Sequence, residues 1–498
     1  MTGLTSTKFS VSGVAKAAKP SPVLRNALWL VGAQVLVAPL SVLVNAVVAR
    51  YLGPTQFGSL YLATTYAAFG MMFVEWGQFG TLTGKIAEQR SRAGELLGSA
   101  LVWRVGAALV VAMVVLLTCR LAGYGHSFLQ VMGLALLAAS LATMALAGQD
   151  AIRGFERTDF AAMSYVGQQL LAALVSITAL MVGLGLHGLL LGQIFCAAAG
   201  MIFVLAMLPR MHIPRLRVRV ATAVELVRDG RVFLTFAIVL ALQPLVNVAM
   251  MSHFGSAEAL GWYAASCKLI GILVFPALAV GKALYPTLVR QFATSSTGSR
   301  ATLHSALRAL CLVVFPVALG CALFPKLGVM IFNARSYAPA EDNLRVLSVY
   351  LFLLYFSMPL SECIMASGRR GLWAAVQFSC VIMSVVADPL LIVWFQAHGG
   401  NGGLGVCIAT VASEVLMLVG AVVLIPKGLL DWTVLGFMGR PALAGAAMAA
   451  VGLTVAPLNL PLGAVLAVLA YVLVLLMTGA LSTQEMRNLL GKVHRVPA

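Results

Sequence analysis

Residues 43–58 read LVNAVVARYLGPTQFG, and residues 245–261 read LVNVAMMSHFGSAEALG. Each sets an Asn eight positions before a Gly, Asn45 before Gly53 and Asn247 before Gly255. A second Gly follows at Gly58 and Gly261. Both are apolar runs closed by a residue without a Cβ, which suits the C-terminal end of a membrane-crossing helix. What lies in the roughly two hundred residues between the two copies decides the fold.

Hydrophobic residues make up 61% of the 498-residue chain and charged residues only 10%, with a mean hydropathy of +0.97. Continuous apolar runs recur along its whole length, so the bilayer is the solvent and the chain reads as an all-α polytopic membrane protein. The runs do not alternate, which excludes a β-barrel. Spans are expected at about 26–49, 58–83, 98–121, 127–149, 159–186, 188–209, 231–253, 260–286, 306–333, 344–366, 371–397, 402–426, 441–459 and 461–481, fourteen in all.

The net charge of +17 is carried mainly by connections. Of 33 Lys and Arg, 25 fall in the N-terminal tail and in every second loop. Five lie in the opposite segments, and Arg104, Lys268 and Lys282 lie inside spans. That split gives an inner-membrane protein with both termini in the cytoplasm, and it removes nucleic acid as a partner. The first 25 residues carry four basic and no acidic side chains and read as a retained cytoplasmic tail. Eight scattered cysteines without a CxxC pair indicate neither a disulfide framework nor a metal site, and no cofactor motif is present.

If the two quoted stretches begin repeats at spans 1 and 7, six spans separate them and both copies run in the same direction. Two parallel six-helix repeats are a transporter design, with a midplane site between bundles that rock. The expected organisation is a tail (1–25), an N-terminal six-helix bundle (26–209), a basic linker (210–230), a C-terminal six-helix bundle (231–426), an accessory pair of helices (427–481) and a cytoplasmic tail (482–498).

ARYLGPTQFGSLYLA, following a first span with NALWLVGAQVL, resembles the polysaccharide transporter (Wzx-type) family of the MOP superfamily. So do LAGQDAIRGFERTDFAAM, HFGSAEALGWYAASCKL and FNARSYAPAEDNLRVLS, in that order, over about residues 25–430. The resemblance implies a MATE/MOP-like fold and a flippase that moves undecaprenyl-diphosphate-linked oligosaccharide units from the cytoplasmic to the periplasmic leaflet for exopolysaccharide or lipopolysaccharide synthesis. It also implies polysaccharide polymerase and chain-length or export proteins as partners. Asn247 departs from the pattern, since relatives often carry an acidic residue there.

Charges inside spans cost roughly 2.5–3.5 kcal/mol each when exposed to lipid, so the buried ones must face protein or a wet cavity. Glu75, Lys268, Lys282, Asp388 and Glu414 fall in this class. Residues seven and eleven apart share a helix face. Gln34, Ser41 and Asn45 obey that rule, as do Gln377, Ser384 and Asp388, while Gln243 and Asn247 are one turn apart. Lys268 and Lys282 are placed within 40° of each other by the same rule, and Thr64 shares a face with Glu75. These stripes read either as the lining of a cavity or as helix–helix hydrogen bonds. Arg104 and Glu362 lie within two turns of the inner face and read as interfacial pairs. Pro244, Pro276, Pro359 and Pro389 can bend their spans or serve only as packing kinks.

The functional expectation is therefore alternating access without enzymatic chemistry. Lys268 and Lys282 would receive a diphosphate, with Gln34, Ser41, Asn45, Gln243, Asn247 and Gln377 for sugars and membrane lipid around the tail. Glu75, Asp388 and Glu414 would carry a coupling proton or ion, or balance charge. The alternatives are a MATE-type cation-coupled drug exporter and a peptidoglycan-precursor flippase. A membrane glycosyltransferase or polymerase is disfavoured because no outer loop is long enough for a catalytic site.

Overall fold

The computed structural model describes residues 22–480 except 212, 295 and 432. The expected C-terminal tail, and all but residues 22–25 of the N-terminal one, fall outside the described residues. The described chain is helical, with no strand. A first half comprises α1 (Pro22–Glu75), α2 (Gln78–Glu88), α3 (Ala93–Leu121), α4 (His126–Gly154), α5 (Thr158–Met181) and α6 (Gly185–Met207). A second half comprises α7 (Val220–Phe254), α8 (Ala257–Leu273), α9 (Phe275–Thr294), α10 (Ser296–Leu323), α11 (Pro325–Met330), α12 (Ala340–Ala366), α13 (Arg370–Gly399) and α14 (Gly402–Leu424). α15 (Thr433–Val455) and α16 (Leu460–Met477) follow.

Among the described residues twelve helical runs are long and apolar enough to cross a bilayer, or thirteen when the bent pair α8–α9 counts as one. The expected fourteen differs chiefly in residues 32–88, which form one 57-residue run. At 1.5 Å per residue a straight run of that length would be about 85 Å long, far beyond a core of about 30 Å. The chain turns at Gly53, where φ is +70°, a conformation that costs glycine nothing.

The echoed stretches touch. Gly58 and Gly261 pack backbone to backbone, and a Cβ on Gly58 would sit 2.8 Å from the Gly261 nitrogen and 2.7 Å from the Ala257 carbonyl oxygen. A Cβ on Gly261 would run into the Pro54 carbonyl. Around this crossing the halves are tied at their glycine end. Arg50 donates from Nε to the Ile331 carbonyl at 2.7 Å and from Nη2 to that of Met330 at 2.8 Å. Tyr337 Oη donates to the Ala49 carbonyl at 3.1 Å, and the enclosed rings of Phe57, Phe332 and Tyr337 meet there at tilted and edge-on angles.

At the opposite, basic end, the segment expected as a connecting loop is structured, and α7 starts eleven residues before its expected span. Residues 213–219 lie along the start of α3. Arg217 N donates to the Gly94 carbonyl at 3.1 Å, and Ser99 Oγ accepts from Arg219 N at 3.0 Å. A Cβ on Gly94 would strike the Pro214 and Arg215 carbonyls, and one on Gly98 that of Arg217. The first turns of α7 continue onto the first half, where Ile213 and Leu226 join its core. Trp76 Nε1 donates to the Val227 carbonyl at 3.1 Å, and Lys85 bridges Glu225 and Asp229. Elsewhere at this end, among the described residues, no hydrogen bond joins the ends of α4 and α5 to those of α9, α12 or α13.

α15 and α16 pack on α10 of the second half through Phe324, Ala444, Met448 and Tyr471, whose hydroxyl donates to the Leu312 carbonyl at 2.9 Å. Their remaining faces expose Leu453, Leu458 and Met477, as lipid contact requires.

Two outcomes follow from these contacts. Gly261→Val forces apart a backbone crossing and should cost about 1–3 kcal/mol, read as a lower thermal unfolding midpoint, whereas Gly271→Ala has open space around its new Cβ and should leave it unchanged. The hydrogen bond from the Lys85 ammonium holds Glu225 below its ordinary value of about 4.3, helped by the charges of Lys85 and Arg92. Its contribution to docking the 213–229 segment is then complete above that value and is lost as the pH falls through the lowered one. Intrinsic-rate-corrected amide exchange at Arg217 should rise only in that acid range, and Glu225→Gln should remove the dependence.

Candidate translocation site

The crossing at Gly58 and Gly261 places Tyr61 and Lys268 opposite each other, three and seven residues further along α1 and α8. Lys268 is half-buried with its Nζ 5.5 Å from the centroid of the Tyr61 ring, and Tyr263 meets Tyr61 edge-on at 6.4 Å. Eleven residues separate Lys268 from the start of α8, about 16 Å or half a bilayer core. Among the described residues no carboxylate stands within ion-pair distance of its ammonium. The chain bends by 46° between α8 and α9. Lys282 therefore lies on a different helix and is exposed, which corrects the shared face expected for the two lysines. The angular rule holds only along a straight helix.

Inside the second half, α7, α13 and α14 enclose an acid. Asp388 is completely buried, and its Oδ1 has no hydrogen-bond partner. Asn247 lies beside it: its Nδ2 donates to Asp388 Oδ2 at 3.1 Å and to the Gln243 carbonyl at 3.0 Å, and its amide oxygen accepts from Thr410 Oγ1 at 3.2 Å, an arrangement that suits an ionised Asp388. Ser384 and Ser413 hydroxyls pair at 3.4 Å, and Glu414, also enclosed, accepts from Ser357.

The expected stripe on α1 gathers no such partners. Gln34 and Ser41 are exposed, and the Asn45 amide is spent on the Ser41 carbonyl of its own helix at 2.6 Å. Thr64 likewise bonds the Leu60 carbonyl. The two echoed asparagines thus differ: Asn45 closes on its own turn, and Asn247 binds across helices. Gln243 and Gln377 are half-buried, and of Gln243 it is the backbone carbonyl that faces the pocket. Among the described residues no cluster of three His, Cys, Asp or Glu is arranged to hold a metal ion.

The sequence profile of the family described as polysaccharide biosynthesis protein matches residues 23–292, more than half of the chain. The chain belongs to that family. This is the Wzx-type group that its loop motifs resemble. Its fold is similar to that of a lipid II flippase, MurJ, in an inward closed conformation, with a TM-score of 0.67 and 11% identity over 90% of this chain and 98% of that one. It is also similar to an inward-facing MATE multidrug transporter of the MOP superfamily, with a TM-score of 0.61 and 15% identity over 78% of this chain and 92% of the other. At those identities the likeness is one of fold. No curated protein sequence matches. The fold is one that multi-pass membrane transporters share.

A buried cation in the first half of this family member was misjudged from sequence. Arg104, expected at the interface, is fully enclosed. Its Nε donates to Gln78 Oε1 at 2.9 Å and its Nη1 to the Thr143 carbonyl, and Nη2 has no partner. Glu75, half-buried at the end of α1, and Asp150 both feel its charge without forming an ion pair with it. Asp150 was assigned to a loop, yet α4 continues to Gly154 and buries it against Arg153 at 2.9 Å. The Asp150–Arg153 spacing, three residues apart, was the available signal for a longer helix. Arg104→Met should destabilise the protein by about 1–3 kcal/mol, because Gln78 Oε1 is left buried without a donor. The double variant Arg104→Met/Gln78→Leu should recover most of that loss, and simple additivity of the two thermal shifts would reject this account.

Proposed function

We propose that this protein is a flippase of the bacterial cytoplasmic membrane that carries undecaprenyl-diphosphate-linked oligosaccharide units to the periplasmic leaflet by alternating access. The observation that carries the reading is the ammonium of Lys268, at mid-depth between the halves with no carboxylate to neutralise it. An uncompensated cation there is costly unless an anion visits, and a diphosphate is the part of such a substrate that cannot cross hydrocarbon unaided. Membership of the polysaccharide biosynthesis family and the fold shared with a lipid II flippase support a lipid-linked cargo. The halves are latched at the glycine end by Arg50 and Tyr337, which fits a state whose entrance faces the basic, cytoplasmic end.

Coupling is assigned to Asp388. A proton or monovalent cation taken up at its unpartnered Oδ1 would change the charge that the Asn247 amide meets, at the contact of α7 with α13 and α14. α7 is also the helix that joins the halves, so this pocket can bias their relative position. A multidrug-exporter reading is supported by the MATE-like fold alone. A cationic drug would need carboxylates between the halves, where Lys268 stands instead.

Lys268→Ala should abolish export and cause the lipid-linked saccharide to accumulate in the cytoplasmic leaflet at normal protein abundance, while Lys268→Arg retains part of the activity. Wild-type export by Lys268→Ala, or a gene disruption that accumulates no lipid-linked saccharide, would sink the proposal.

A further inference from the structure

We propose that residues 214–224 form a docking site for anionic phospholipid headgroups in the leaflet at the basic end of the bundle. Backbone bonds to alternate residues, Arg217 to Gly94 and Arg219 to Ser99, hold this segment in an extended form against α3. Arg219 has φ −136° and ψ 120°, as an extended residue does. In such a chain successive side chains point to opposite faces. RLRVRV (215–220) then becomes a two-sided ribbon, with Arg215, Arg217 and Arg219 on one side and Leu216, Val218 and Val220 on the other.

Both sides are free. Leu216 is 45% exposed, Val218 59% and Val220 76%, and Val224, one turn into α7, is 61% exposed. The three arginines are exposed as well, and among the described residues none forms an ion pair: Glu225 and Asp229 are engaged by Lys85 and Arg92, and Glu95, which also feels the charge of Arg219, is paired with Arg92. The ribbon lies beside Gly94–Ser99, the first turns of a crossing helix, so it sits at the rim of the bilayer. An apolar edge facing acyl chains and a basic edge facing phosphates is the arrangement of an interfacial lipid-binding element. A soluble acidic protein would leave the valines bare, and free phosphate would have no use for them.

The segment is held rigidly, so the site is preformed. Side-chain changes leave its attachment intact, since α3 grips the backbone of 214–219 and glycines at 94 and 98 make room for it. Each Arg near an anionic leaflet is worth a factor of about five in binding.

The test uses the full chain with a photoreactive residue at Val218, reconstituted in vesicles of phosphatidylcholine and phosphatidylglycerol. Cross-linked lipid is identified by mass spectrometry. Phosphatidylglycerol should be recovered above its mole share. That enrichment should fall in each of Arg215→Gln, Arg217→Gln and Arg219→Gln and reach parity in the triple variant. The triple Arg→Lys variant should keep it, which separates lost charge from lost folding. Cross-links in proportion to lipid composition, enrichment unchanged in the triple Gln variant, enrichment abolished by added inorganic phosphate, or cross-links to protein instead of lipid would each overturn the proposal.

Discussion

The contact between Gly58 and Gly261 is the one on which the rest of the arrangement depends. In a bilayer, lipid tails are as apolar as the helices, so no hydrophobic force presses the halves together. Close backbone approach replaces it, through dispersion and Cα–H···O contacts that any side chain would prevent. From that crossing, Tyr61 and Lys268 face each other a short way along the two helices. The aromatic rings at Phe57, Phe332 and Tyr337 close one end, and the other end is left free to part. The two stretches that echo each other in sequence are the two sides of one contact.

Around this crossing the charges are sorted by what can neutralise them. Arg104 is enclosed in the first half and met only by neutral acceptors. Asp388 and Glu414 are enclosed in the second half and met by an amide and hydroxyls. Lys268, between the halves, is met by an aromatic face. A charge held by fixed dipoles stays satisfied in every state, whereas one held by a ring alone can exchange that partner for a stronger one. The charges enclosed by fixed dipoles and the one that faces a ring are thereby separated in space.

Much of this was legible in the sequence. Uninterrupted apolar runs and the one-sided distribution of Lys and Arg gave a polytopic helical bundle, and the loop motifs pointed to the family. Of the five charges that cost arguments place against protein or a wet cavity, Asp388 and Glu414 are enclosed, Glu75 and Lys268 are half-buried and Lys282 is exposed. Bends were not legible. The break after Leu273 separates Lys268 from Lys282 because a periodicity argument assumes a straight axis, and Phe275–Thr294 reads as a continuation of the same apolar run. Asp150 and Arg153 looked like loop residues because charge was taken as the end of a span, although the two neutralise each other within α4. The partners of Asn247 come from α13 and α14, at sequence distances that no local pattern encodes. Its twin, Asn45, has the same spacing and bonds only its own helix.

The attachment of residues 213–234 to the first half moves the border between the two halves. Composition places it in the arginine-rich connection, but that connection is fixed to α3, and Leu226 belongs to the core of the first half. Gly77 abuts the backbone of Gly230 and Leu234, while Asn247 is bonded inside the second half. Between them stands Pro244, which lacks the N–H that would hold the Leu240 carbonyl. The halves are thus coupled by a continuous helical shaft with one weak turn and no slack tether. A displacement of either half would be transmitted to the other along α7, past Asn247 and the acid beside it.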